Sequence, residues 1–130
     1  NAAAFEANGW DAPSSWADLA DERFSGKVSV PPISNTYGLH TLVMLARMQG
    51  GGESDIDPGF DYMANTVAPH VLAFEASPGR MSELFQNEEI VLSVWGSGRL
   101  ASLQDTGFPG AFAYPQEGGV ALMVAGCPIA

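Results

Sequence analysis

From Ser29 to Leu39 the chain reads Ser-Val-Pro-Pro-Ile-Ser-Asn-Thr-Tyr-Gly-Leu. Ser34, Asn35, Thr36 and Tyr37 cluster where a β-branched run breaks at two prolines and an apolar-periodic helix begins. The first N–H groups of a helix lack intrahelical partners and carry partial positive charge, so such a start favours an anionic or strongly polar group. Ser34 reads either as the helix N-cap, worth about 1 kcal/mol, or as a ligand contact. Asn35 and Thr36, in the first turn, are placed to face a ligand. Tyr37 packs on a sheet or lines the same mouth.

A second cluster is Trp95-Gly96-Ser97-Gly98-Arg99. Trp95 ends an apolar run and either fills the core or forms an aromatic wall for a ligand. Gly96, Ser97 and Gly98 suit close backbone approach at another helix start. Arg99 either pairs with a neighbouring acid or grips a carboxylate bidentately. The candidate ligand-binding residues are therefore Ser34, Asn35, Thr36, Tyr37, Trp95, Ser97 and Arg99. Glu75 and Glu117 lie at strand ends and read as surface turn residues.

Other chemistries find little support. His40 and His70 are the only histidines, and neither has a Cys or second His nearby, so no metal site is expected. Ser93 and Ser97 lack the Gly-x-Ser-x-Gly setting, and Gly-Ser-Gly-Arg-Leu has neither phosphate-loop spacing nor a lysine. No nucleophile–base constellation appears, so a non-enzyme without cofactor is expected. Cys127 stands alone, which excludes an intramolecular disulfide. The formal net charge is −10, with five Lys and Arg that lie far apart, and argues against nucleic acid and anionic membrane surfaces. No apolar stretch reaches membrane-spanning length. The chain starts at Asn1 without a methionine or signal peptide and reads as a processed or excised piece.

These residues must be held by strands that alternate with helices. A length of 130 residues suits one domain with one core. Strands are expected at Lys27–Val30, Val71–Phe74, Ile90–Trp95, Ala111–Tyr114 and Val120–Val124. Ser15, with Asp18 three residues on, begins one helix by a capping box. A second runs from Thr36 to Gln49 with a stripe of Leu39, Leu42, Val43 and Ala46, and Gly50–Gly52 stops it. A third starts at Asp57-Pro58, with Asp57 as N-cap, and carries Phe60, Met63, Ala64 and Val67. A fourth starts at Ser77-Pro78 and carries Met81, Leu84 and Phe85. A fifth spans Gly98–Asp105, ended by Gly107. The pattern implies an α/β, three-layer domain over residues 1–130, with a mostly parallel sheet and helices on both faces. Ligands of such sheets sit beyond the carboxyl ends of the strands. Those ends are Pro31–Tyr37, Glu75–Ser77, Gly96–Arg99 and Pro115–Gly119.

The order Pro-x-Ser-Trp-x-Asp-Leu, Gly-Lys-Val, Trp-x-x-Gly-Arg and Tyr-Pro-x-Glu-Gly-Gly, from Phe5 to Ile129, resembles the second lobe of type II periplasmic solute-binding proteins of ABC importers. It is most similar to the spermidine/putrescine, iron and thiamine branch. The resemblance implies an isolated ligand-binding lobe, with the first lobe of the same receptor and ABC permease subunits as partners. It also implies a periplasmic or extracellular place beside the importer. Where polyamine receptors of this branch carry carboxylates, this chain has Pro32, Ile33, Ser34, Asn35 and Thr36, and later Leu122, Met123 and Val124. Where ferric-ion receptors pair tyrosines, Tyr37 and Tyr114 stand apart. The implied ligand is a small polar or anionic organic solute. The alternatives are a polyamine-type lobe with atypical ligand residues and a small α/β enzyme using the strand ends. The resemblance makes the segment from Val120 a return strand, and its apolar, uncharged end invites self-association by edge pairing or strand exchange.

Overall fold

The run expected as a strand at Lys27–Val30 forms β1 at Val28–Val30 and takes the middle of the sheet. In the computed structural model, which describes residues 1–122 and 126, β1 lies between β2 (Val71–Phe74) and β3 (Leu92–Ser93). Both pairings are parallel, with Val28 opposite Val71 on one side and Leu92 on the other. All three β1 residues are fully buried, as a central parallel strand requires. The one polar member, Ser29, donates its hydroxyl to the Ala73 carbonyl oxygen at 2.9 Å, so its burial leaves no unpaired group.

Helices complete an α/β fold: α1 (Ala2–Asn8), α2 (Thr36–Met48), α3 (Asp57–Tyr62), α4 (Pro78–Gln86) and α5 (Ser97–Gln104). Between α3 and β2 the chain passes through a π turn at Met63–Val67 and a 3-10 turn at Ala68–His70. One apolar cluster gathers Val28 and Val30 with Phe5, Trp16, Leu19, Phe24, Met44, Leu45, Val67 and Val91. The rings of Phe5, Trp10 and Phe24 meet there at 5.0–5.6 Å. A second cluster joins Met81, Leu84, Phe85, Ile90 and Leu103, with Trp95 and Phe108 packed against it.

Several local expectations change. The helix at Ser15 is a 3-10 helix, Trp16–Ala20, although the Ser15–Asp18 capping box forms as the spacing implies. The α2 cap is Asn35, not Ser34: the Asn35 side chain accepts the Tyr37 N–H at 2.9 Å. The buried side of α2 is Thr41, Leu42, Met44, Leu45 and Ala46, while Leu39 is exposed, because α2 is covered by the sheet and by α3 rather than on one narrow stripe. The α3 cap position is Ile56, with Asp57 and Pro58 inside the first turn. Ile90–Trp95 contributes only two strand residues.

Ala111–Tyr114 forms no strand, nor does Val120–Leu122. The segment is instead held by a clasp that joins two sequence motifs about a hundred positions apart. Ser14 accepts the Gln116 N–H at 2.7 Å, and Gly118 accepts the Trp16 indole N–H at 2.9 Å. The Glu117 carboxylate accepts the Ser15 hydroxyl and, at 3.3 Å, the Trp16 N–H. Phe112 and Tyr114 stay exposed and meet edge to face at 5.1 Å. The tail expected to self-associate, with Met123, Val124 and Cys127, lies outside the described residues.

Close backbone packing sets where α3 sits. A Cβ on Gly59 would stand 2.5 Å from the Leu42 carbonyl oxygen and 2.9 Å from the Ala46 Cβ. Gly59→Ala is therefore expected to destabilise the fold by about 1–3 kcal/mol. Gly79→Ala, in α4, meets nothing nearer than 3.8 Å and is expected to be neutral or to stabilise by about 0.4–1 kcal/mol. Urea denaturation of both variants checks the pair.

The clasp is expected to weaken in acid. Desolvation raises the Glu117 pKa, but the hydrogen bonds from Ser15, its own backbone and Trp16 outweigh this and hold it below the usual glutamate value. A lowered folded-state pKa contributes stability that is full above the unfolded pKa and is lost as pH falls through the folded one. Wild type is thus expected to lose stability on acidification relative to Glu117→Gln, which lacks the charge. Parallel stability curves for the two proteins down to pH 3 would remove the clasp's electrostatic part.

Candidate functional site

Parallel pairing puts the carboxyl ends of β1, β2 and β3 on one edge of the sheet. The three segments leaving that edge lead into α2, α4 and α5. They enclose a small recess of about 70 Å³. At about 10–15 Å³ per water, that is room for some five waters or one polar headgroup.

The β1 exit supplies Pro31, Asn35 and Tyr37. Its course depends on Gly38, whose missing Cβ would lie 2.5 Å from the Pro32 carbonyl carbon. The first turn of α2 therefore folds directly over the Pro31-Pro32 backbone, and the Asn35 N–H donates to the Pro32 carbonyl oxygen at 2.8 Å. A side chain at position 38 would lift α2, and Asn35 and Tyr37 with it.

The β2 exit supplies Glu75, Ala76, Ser77 and Pro78, with Met81 below. The Glu75 N–H continues the sheet by donating to the Val30 carbonyl oxygen at 3.2 Å. Its carboxylate accepts the Ser77 N–H at 2.6 Å. Ser77 caps α4, as expected, by accepting the Arg80 N–H at 3.3 Å.

The β3 exit supplies Trp95 and Arg99. Trp95 does both things its position allowed: its ring stacks on Phe85 at 6.0 Å and 26°, and it also walls the recess. Gly96 begins α5 with no side-chain cap. The Tyr37 ring end rests against Gly96, where a Cβ would lie 2.8 Å from Tyr37 Cζ. Arg99 makes no ion pair among the described residues, whereas Arg23, Arg47 and Arg80 each meet an acid.

Four of the seven candidate residues, Asn35, Tyr37, Trp95 and Arg99, thus meet in one recess, and Ser34, Thr36 and Ser97 are exposed outside its lining. Ser34 precedes the α2 cap, and Thr36 and Ser97 are the first residues of α2 and α5. Glu75, read as a surface turn residue, lines the recess, and so do Ala76, Ser77 and Pro78. The strand-end rule already marked Glu75–Ser77; only pairing could show that this exit faces the other two. Pro115–Gly119 is not in the lining because no strand delivers it to that edge. No group of three or more His, Cys, Asp or Glu suited to a metal occurs among the described residues.

A family model for bacterial extracellular solute-binding proteins matches residues 1–127. Among solved structures, the chain is similar to the crystal structure of an ABC transporter from Clostridium perfringens ATCC 13124, with a TM-score of 0.73 and 20% identity. The match covers 81% of this chain and 34% of that one. No curated protein matches the chain in sequence. The α/β fold with its small parallel sheet is thus the fold of that crystal structure over the aligned part, and the family match extends over nearly the full length. The chain belongs to the family of bacterial extracellular solute-binding proteins.

Proposed function

We propose that this chain is the second lobe of a receptor for an ABC importer of the spermidine/putrescine, iron and thiamine branch. It works in the periplasm or at the extracellular face, and holds a small polar or anionic organic solute at the strand-end recess. The observation that carries the reading is the convergence of Asn35, Tyr37, Ser77, Trp95 and Arg99, from three separate strand exits, on one recess. Ligand pockets usually offer about 300–1,000 Å³, several times what this recess holds. It suits one wall of a site whose other wall comes from the first lobe, with hinge closure burying the solute between them. ABC permease subunits then receive the loaded receptor. Family membership supports a binding role over catalysis.

A thermal-shift and titration screen against small amino acids, organic acids, polyamines and phosphonates tests the reading. Arg99 is exposed and makes no ion pair among the described residues, so Arg99→Ala is expected to leave stability within about 0.5 kcal/mol. A charged hydrogen bond is worth about 1.5–3 kcal/mol, so solute affinity should fall by roughly tenfold to a hundredfold. An unchanged titration would move the solute away from this recess.

Gly96→Ala tests the geometry without touching a charge. The new methyl must displace the Tyr37 ring end, which can swing at little cost to folding. The expected result is a near-native melting temperature with weakened solute binding and a shifted Tyr37 ring resonance. Tight binding with the ring displaced would remove Tyr37 from the site.

A further inference from the structure

We propose that the solute is zwitterionic, its anionic group held by Arg99 and its cationic group by the Glu75 carboxylate. The proposal rests on the reading of the recess as the solute site. Glu75 and Arg99 line the same recess, yet no ion pair joins them among the described residues. Glu75 spends one oxygen on the Ser77 N–H, and among the described residues no other hydrogen bond reaches the carboxylate. The Arg80 guanidinium also feels the Glu75 carboxylate, but at longer range, and its own ion pairs go to Glu83 and Glu89. Two opposite charges that make no ion pair among the described residues, in one small concavity, are a matched receptor for a ligand that carries both.

The remaining electrostatics point the same way. The chain carries a formal net charge of −10, which repels a net anion at a distance, and Glu75 repels it inside the recess. A net cation meets the Arg99 guanidinium instead. A zwitterion has no net charge for the long-range field to oppose, and each of its ends meets an opposite charge. Trp95 adds a ring face for the cationic group or for the carbon frame between the charges. The recess volume fits a headgroup of this kind better than a whole extended solute.

The test is a pair of matched probe series read by amide correlation spectra of the full chain, a method that registers millimolar affinities. One series is glycine, acetate and methylamine; the other is 4-aminobutyrate, butyrate and propylamine. In at least one series the zwitterion is expected to shift the Asn35, Ser77 and Arg99 amides with an affinity about tenfold or more above both singly charged analogues. Glu75→Gln and Arg99→Gln should each bring the zwitterion down to the affinity of a singly charged analogue, and the spectra themselves report that each variant is folded. If an acid alone binds as tightly and Glu75→Gln changes nothing, the zwitterion proposal falls and the recess remains a solute site. Equal binding of an amine with Arg99→Gln silent also overturns it. Absence of recess shifts with every probe overturns both the proposal and the solute-site reading.

Discussion

The structure depends on the complete burial of a three-residue strand. Val28 and Ser29 pair with β2 on one side and β3 on the other, and Val30 pairs with β2 and accepts the Glu75 N–H, so buried backbone groups of β1 find partners in the sheet. Burial of the two valines nucleates the larger apolar cluster, into which α1, α2 and the 3-10 turns pack. Because both neighbours run parallel to β1, every connection must cross over through helices, and the three exits share one edge. The recess is a consequence of that topology before it is a consequence of any one side chain.

Glycine then brings those exits close. Gly38 lets the start of α2 lie on the Pro31-Pro32 backbone, and Gly96 leaves the space that the Tyr37 ring end fills. Both contacts join the α2 start to its neighbours, one below and one across the recess. On the far side, Trp95 is fixed by stacking on Phe85, so the wall of the recess is continuous with the second apolar cluster. The charged groups Glu75 and Arg99 project from this rigid frame rather than from long loops, which suits selective recognition of a small polar group.

The clasp of Ser14–Trp16 with Gln116–Gly118 has a different role. It ties the chain beyond α5 back to the segment that precedes β1, with four hydrogen bonds and no sheet pairing. The capping box at Ser15 and the turn at Glu117 are each small local devices. Together they give an exposed segment a defined place. In place of the strand expected at Ala111–Tyr114, the Phe112 and Tyr114 rings pack edge to face on each other at the surface.

The local devices could be read from residue types alone, because their physics spans only a few positions. The Ser15–Asp18 box, the Ser77 cap before Pro78, the strands at Val28 and Val71 and the stop after α2 all follow from short-range hydrogen bonding, β-branching and glycine. The strand-end rule likewise marked Pro31–Tyr37, Glu75–Ser77, Gly96–Arg99 and Pro115–Gly119; the first three segments contribute to the recess, while Ser34, Thr36, Ser97 and all of Pro115–Gly119 stay out of its lining. The ordered motifs behind the family resemblance were legible in the same way. What only the tertiary structure decided are the matters of register and neighbourhood. Asn35 rather than Ser34 caps α2 because the close approach at Gly38 fixes where the first turn begins. Glu75 joins the recess because β2 pairs with β1 in parallel. Glu117 goes to Ser15 instead, since no fourth strand among the described residues carries it to the mouth. Contacts between residues tens of positions apart are set by which strands pair and how closely helices approach, and one-dimensional spacing carries neither.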